Sequence, residues 1–212
     1  STLSPSSAAS DVYKRQALVD PLLKDLRKTL VEFAQIKKGE KILDLCCGSG
    51  DQVFFYAQKG ALAFGVDKNF QMLELAKKDK RMKELKSSVY FLNLKAESLS
   101  FKEDYFDKAS ISLAFHEMDK KTQDKVIFEM RRVTKKEGIL IFADFNPKLS
   151  LPLKFFLGLI EYFGGRENYR NFRDYIKNGG LEGILKRNYL AFEEKIYLKR
   201  KMILALKAKN IK

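Results

Sequence analysis

Cysteine is nearly absent from this 212-residue chain: there are two, Cys46 and Cys47, and they are adjacent. Neighbouring cysteines are poor partners for a structural disulfide, and no CxxC or Cys/His ligand spacing occurs. The pattern therefore argues against a structural zinc site, no metal is expected, and a reducing, cytoplasmic setting is. Histidine is scarcer still, with His116 the sole one. No unbroken apolar run is long enough to span a bilayer, and no signal peptide is read. There is no run of five basic residues and no aromatic-basic RNA-binding signature. No internal repeat and no second domain is visible.

What is present is enough for one α/β domain with a full core, since 45% of the residues are hydrophobic, an ordinary globular fraction. The formal net charge is +14, and residues 166–212 carry 13 Lys and Arg against 5 Asp and Glu, so more than half of the excess lies there. Such a surplus is read either as attraction to nucleic acid or an anionic membrane, or as a solvated basic face. Residues 1–16, STLSPSSAASDVYKRQ, are Ser/Ala-rich and aperiodic. They read as a disordered leader, and DVYKRQ looks like translated linker, so a non-native N-terminus is expected.

From Leu18 an apolar stripe (Leu18, Leu22, Leu26, Leu30, Phe33) predicts an amphipathic helix. Strands and helices then alternate. Strands are expected at 42–45, 61–66, 88–94, 107–113 and 139–145, with helices at 52–58, 71–85 and 120–133. That alternation predicts a Rossmann-like, doubly wound α/β fold with a mostly parallel seven-stranded sheet and helices on both faces. Beyond Pro147 two helices (149–163 and 169–178, the latter ending at Gly179-Gly180) precede two strands, at 189–198 and 202–208. These supply the antiparallel C-terminal end.

The stretch KILDLCCGSGDQ, Lys41 to Gln52, is a short apolar strand, a glycine turn and the start of an amphipathic segment. Gly48 and Gly50 permit positive φ and close backbone approach to a ligand. A helix N-terminus favours a pyrophosphate. Asp44 and Asp51, however, put two carboxylates where phosphates would sit, which favours a cationic, phosphate-free ligand such as S-adenosylmethionine (SAM). Asp67 ends the second apolar run, ALAFGVD, where a carboxylate accepts hydrogen bonds from ribose hydroxyls.

From Leu18 to Asn146 the chain resembles a class I SAM-dependent methyltransferase, in particular the ubiquinone/menaquinone C-methyltransferase-like group. ILDLCCGSGD resembles motif I of that group, and VDKNFQML its acidic second motif. AESLSFKEDYFDKASISLAFHEM resembles the adenine loop through strand four, and RRVTKKEGILIFADF the helix, turn and fifth strand. The resemblance implies a single methyltransferase domain over 17–212, with 149–183 as a lid or acceptor-side insertion. It also implies that Asp44, Cys46, Gly48, Ser49 and Gly50 border the methionine part of SAM. Asp67 holds the ribose, Lys68 and Met72 flank the adenosine, Ala96 and Glu97 meet the adenine, and Leu113 lines the far wall. Cys46 stands where glycine or alanine is usual, and Lys95 where an acidic residue often meets the adenine.

Methyl transfer from a sulfonium asks mainly for positioning and desolvation, with a base only if the acceptor loses a proton. His116, after strand four, is the candidate catalytic base; Glu117 and Asp119 are alternatives. The Asn/Asp-Pro-Pro-aromatic signature of amino-directed nucleic-acid enzymes is replaced by SLAFH. No cysteine lies outside the cofactor loop to serve as a C5 nucleophile. A small apolar or aromatic acceptor is therefore expected, under residues 149–163, which also read as a peripheral membrane contact. Arg170, Arg173, Tyr169 and Tyr175 are candidates for an anionic acceptor group. An RNA-modifying enzyme, a non-catalytic SAM-binding module and, more distantly, a nicotinamide-dependent dehydrogenase are the competing readings.

Overall fold

The alternation of apolar residues along each strand gives the sheet two buried faces. The computed structural model describes residues 25–212, apart from residues 86 and 164 and the side chains of residues 156, 159, 160 and 163. The expected leader, and Leu18 and Leu22 of the first stripe, lie outside the described residues.

Helix α1 is described over 25–33. There follow β1 (Lys41–Leu45), α2 (Asp51–Gln58), β2 (Leu62–Asp67), α3 (Phe70–Lys78), α4 (Lys80–Lys83), β3 (Val89–Asn93) and β4 (Phe106–Ser112). A 3₁₀ turn (Phe115–Glu117) leads to α5 (Lys120–Val133) and β5 (Thr134–Phe145). The chain closes with α6 (Leu151–Phe163), α7 (Arg166–Lys177), α8 (Gly180–Arg187), β6 (Phe192–Leu198) and β7 (Ile203–Lys209). Among the described residues, seven strands form one sheet in the order β3-β2-β1-β4-β5-β7-β6. β1 to β5 are parallel, and β7 runs antiparallel to both β5 and β6. This is the doubly wound, mostly parallel arrangement that the element alternation implies.

Neighbouring residues of a strand point to opposite faces. Leu43, Leu45, Ile111, Leu140, Phe142 and Leu204 pack on one face against Val126, Ile127 and Met130 of α5 and Leu181, Ile184 and Leu185 of α8. Ile42, Ala63, Ile141, Ala143 and Ile203 pack on the other against Leu26 and Leu30 of α1 and Val53, Phe55 and Tyr56 of α2. Each large aliphatic side chain so buried contributes about 1.5–3 kcal/mol.

Three elements depart from the sequence expectation. The helix expected over 71–85 breaks at Asp79, whose extended backbone ends α3 while its side chain accepts from Arg81 N at the start of α4. A short acidic side chain that bonds its own backbone competes with helix continuation. β5 begins at Thr134 rather than Ile139, through a bulge opposite Phe106–Lys108. Helix α8 was not expected. Gly179, in the left-handed region at φ 83, ends α7 and lets the chain start another helix at Gly180. Pairing is what matters for ligands: β1 has β2 on one side and β4 on the other. The strand order reverses there, and the loops leaving the carboxyl ends of β1 and β4 flank the crevice where ligands bind in this class of sheet.

Candidate cofactor and acceptor site

The loop after β1 is shaped by backbone that most residues avoid. Cys46, Gly48 and Gly50 have φ of 55°, 53° and 80°. At Gly50 a Cβ would also stand 2.6 Å from Phe91 Cζ, so only glycine fits. Gly65 of β2 is opposite Asp44 in register. A Cβ there would meet Cys47 Sγ at 2.8 Å and Val53 Cγ2 at 2.9 Å. The loop therefore rests directly on β2. The thiols of Cys46 and Cys47 are pushed up, first by burial and then by the Asp44 and Asp67 charges, which disfavours the thiolate.

Asp67, at the end of β2, is tied to this loop. Its Oδ2 accepts from Gly48 N at 2.9 Å and its Oδ1 from Asn69 N at 2.8 Å. Each oxygen retains a lone pair for a further donor. Asn69 caps α3 by accepting from the Gln71 and Met72 amides. Met72 is buried one turn in, and Lys68 is exposed. Ala96 packs into the core, and Glu97 is half-buried in the turn closed by Ser98 N donating to Lys95 O at 3.1 Å. A half-exposed glycine loop beside a fixed, partly exposed carboxylate fits the ribose and methionine ends of SAM.

Asp44 is buried and paired in register with Ser110, whose Oγ donates to it at 2.7 Å. Burial pushes its carboxyl up to about 7, against the Ser110 hydrogen bond and the Arg27 charge. Asp51 requires a correction. It does not stand as free negative charge at the helix start: Arg27 of α1 and Arg81 of α4 both donate to it. The two guanidiniums come from positions 24 before and 30 after it. The charge pattern along the chain therefore overstated the negative field at the loop.

His116 lies in the turn after β4, buried to 4% exposure. Its Nδ1 is 2.6 Å from Asp144 Oδ1, and its backbone N–H donates to Asp144 Oδ2 at 3.2 Å. Burial opposes the charged imidazole, but Asp144, together with Glu117 and Glu161, outweighs it and holds the pKa at about 9. At neutral pH His116 therefore accepts a proton only after losing one. Phe145, Phe172 and Tyr175 surround its ring at centroid distances of 4.7, 6.3 and 6.4 Å. Leu113, at φ 52°, leads into this turn, its N–H donating to Ala143 O at 2.8 Å.

Beside the turn, a cleft of about 230 Å³ is lined by Met118, Asp119, Gln123, Arg170, Asn171 and Tyr175, among others. Arg173 instead lies over the Tyr169 ring. A larger cleft of about 460 Å³ lies at the β3 edge, between Tyr90, Leu92 and Met82, away from His116. Sequence reasoning missed Asp144, Ser110, Arg27, Arg81 and Glu161. Asp144 and Glu161 had a usable signal, each a carboxylate inside an apolar run, GILIFADF and LPLKFFLGLIEYF.

Comparison with known proteins supplies the family. The family described as a methyltransferase domain matches residues 42–138, from β1 into β5. An uncharacterized methyltransferase of Synechocystis is 36% identical over 135 residues, 62% of this chain and 61% of that one. A ubiquinone/menaquinone biosynthesis C-methyltransferase of Francisella tularensis is 30% identical over 131 residues, 60% of this chain and 51% of that one. The matched segment thus spans only half to six tenths of these curated relatives. A SAM-dependent methyltransferase structure from Aquifex aeolicus has a TM-score of 0.67 at 17% identity, covering 94% of this chain and 98% of that one. Geranyl diphosphate methyltransferase in complex with SAM gives 0.70 at 14% identity, covering 92% and 88%. At such identities the structures speak for the fold, and the sequence matches carry the motifs. Together they show a methyltransferase domain over residues 42–138 and support reading the chain as a class I SAM-dependent methyltransferase.

Proposed function

We propose that this chain transfers a methyl group from SAM to a small apolar or aromatic acceptor of quinone-precursor type, bound beside His116. The observation that carries the reading is the aromatic wall of Phe145, Phe172 and Tyr175 around the His116 imidazole, past the carboxyl end of β4. Bound SAM supplies an electrophilic methyl on a sulfonium, a donor that needs alignment more than activation.

In this reading Asp44 and the loop Cys46–Gly50 face the methionine end, and Asp67 accepts from the ribose hydroxyls. Lys68 and Met72 flank the adenosine, Ala96 and Glu97 meet the adenine, and Leu113 separates cofactor from acceptor. Asp144 occupies His116 Nδ1, so Nε2 is the atom left to handle an acceptor proton. Helix α6, within the acceptor-side segment 149–183, places Leu157 in a small apolar cluster with Leu149 and Phe172. It leaves Leu151, Phe155 and Tyr162 exposed, at 81%, 76% and 50%. That exposed side suits a peripheral membrane contact from which an apolar acceptor enters. The named role of the Francisella relative agrees with such an acceptor. Among the described residues, no helix is long and apolar enough to cross a membrane.

The RNA-modifying reading is weaker. Lys195 and Lys212 of the basic C-terminal part pair with Glu182 and Asp104, and Lys207 and Lys209 with Glu194 and Glu137. Calorimetry with SAM, S-adenosylhomocysteine and NADH, followed by an acceptor screen, tests the proposal. SAM binding and S-adenosylhomocysteine production with a quinone precursor are expected. Turnover only with RNA, or NADH binding without SAM binding, overturns it.

A further inference from the structure

Helix α6, LPLKFFLGLIEYF, carries one carboxylate, Glu161, and that carboxylate is buried to 7% exposure. Glu161 Oε1 lies 3.8 Å from His116 Nε2, and Glu117 Oε1 lies 3.9 Å from the same atom. Both distances exceed hydrogen-bond reach. The His116 ring is enclosed, its Nδ1 is spoken for by Asp144, and Nε2 points into the space between the two glutamates.

We propose that His116 Nε2 and one oxygen each of Glu117 and Glu161 bind a divalent first-row metal ion. The three ligand atoms all lie within 4.8 Å of one another. Ligands on metal bonds of about 2.1 Å at tetrahedral angles stand roughly 3.4 Å apart. The two His–Glu distances close with shifts of about half an ångström, and the two glutamate oxygens approach by rotation of the exposed Glu117 side chain. The surroundings fit as well. Asp144, at 0% exposure, also accepts from Phe145 N at 2.7 Å. It is thus locked in the position of the carboxylate that orients a metal-bound imidazole and fixes its tautomer. One nitrogen and two oxygens suit Mn²⁺ or Zn²⁺.

Three protein ligands leave coordination positions open. The site stands at the acceptor end of the crevice, so an acceptor hydroxyl would take one of them, release its proton to solvent and be held as the alkoxide or phenolate. This last step rests on the acceptor position proposed above, and in the metal-bound form Nε2 is a ligand and not the base; the metal site itself rests on neither.

The test uses the full chain, stripped with a chelator and titrated with MnCl₂ and with ZnSO₄ in the absence of SAM and acceptor. Metal content after dialysis is measured alongside. One ion per chain is expected. Glu117→Gln and Glu161→Gln should each weaken binding at least tenfold, with unchanged circular dichroism. Glu117 is more than half exposed, so its variant keeps the fold in any case. Failure to bind one ion, equal affinity in both variants, or zinc binding lost only in Cys46→Ser/Cys47→Ser overturns the site. Because SAM binding is measured separately, none of these results bears on the methyltransferase reading.

Discussion

Arg27 of α1 donates to Asp51, the first residue of α2, and so fastens the N-terminal helix to the floor of the glycine loop. Arg81 donates to the other oxygen of the same carboxylate. Arg27 is 14% exposed at its side chain and Arg81 45%. The order of destabilisation should therefore be Asp51→Ala, then Arg27→Ala, then Arg81→Ala. Removing the shared, buried partner is expected to cost about 3 kcal/mol or more, and losing the exposed Arg81 about 1 kcal/mol or less. Urea denaturation of the three variants checks the order; an equal loss for Arg81→Ala would contradict it.

Asp67 and Lys95 should separate cleanly in SAM binding. Asp67 is fixed by the Gly48 and Asn69 amides. Hydrogen bonds to a charged acceptor contribute about 1.5–3 kcal/mol each. Asp67→Ala is therefore expected to weaken SAM by at least tenfold. Lys95→Ala, an exposed residue, should change it less than twofold. Isothermal titration measures both, and equal losses would misplace the ribose.

With Asp44 at the methionine end, as proposed, SAM binding should depend on pH. Its carboxyl is raised to about 7 by burial, so the folded apo protein holds a proton there that the unfolded chain has lost. The cationic methionine end of SAM favours the carboxylate, and binding releases that proton. Affinity should rise with pH up to about 7 and level off above it, with a slope approaching about tenfold per unit below. Asp44→Asn should flatten the profile. The same linkage means that the buried carboxylate erodes stability as pH rises from the ordinary carboxylate range through 7. Asp44→Asn should therefore melt higher than the parent at pH 8, and this comparison does not involve the ligand.

Gly50→Ala should fail on two counts. It places a Cβ at φ 80° and 2.6 Å from the Phe91 ring. Left-handed backbone at a non-glycine residue costs about 1–3 kcal/mol. A lower melting temperature and weaker SAM binding are expected. Adding Phe91→Leu should recover only the steric share.

The exposed side of α6 gives a surface prediction. Leu151→Glu/Phe155→Glu should lower co-sedimentation with anionic vesicles severalfold without altering the melting temperature, because neither side chain is packed. Undiminished sedimentation would remove the membrane contact from the proposal.

The alternating apolar strands, the glycine turn and the carboxylate at the end of β2 were legible along the chain, because a strand's two faces and a tight turn are set by residues a few positions apart. Thus the doubly wound sheet and the loop Cys46–Gly50 follow from sequence alone. The break at Asp79 and helix α8 did not, because a cap or a left-handed glycine overrides a periodic stripe at a single position. Tertiary structure alone decided the electrostatics. Asp51 looked free until Arg27 and Arg81 arrived from either side. Along the chain His116 reads as a base titrating near neutrality; β5 places Asp144 at its Nδ1 and α6 places Glu161 near its Nε2. Charge acts through space and burial, and neither distance is written in the order of residues.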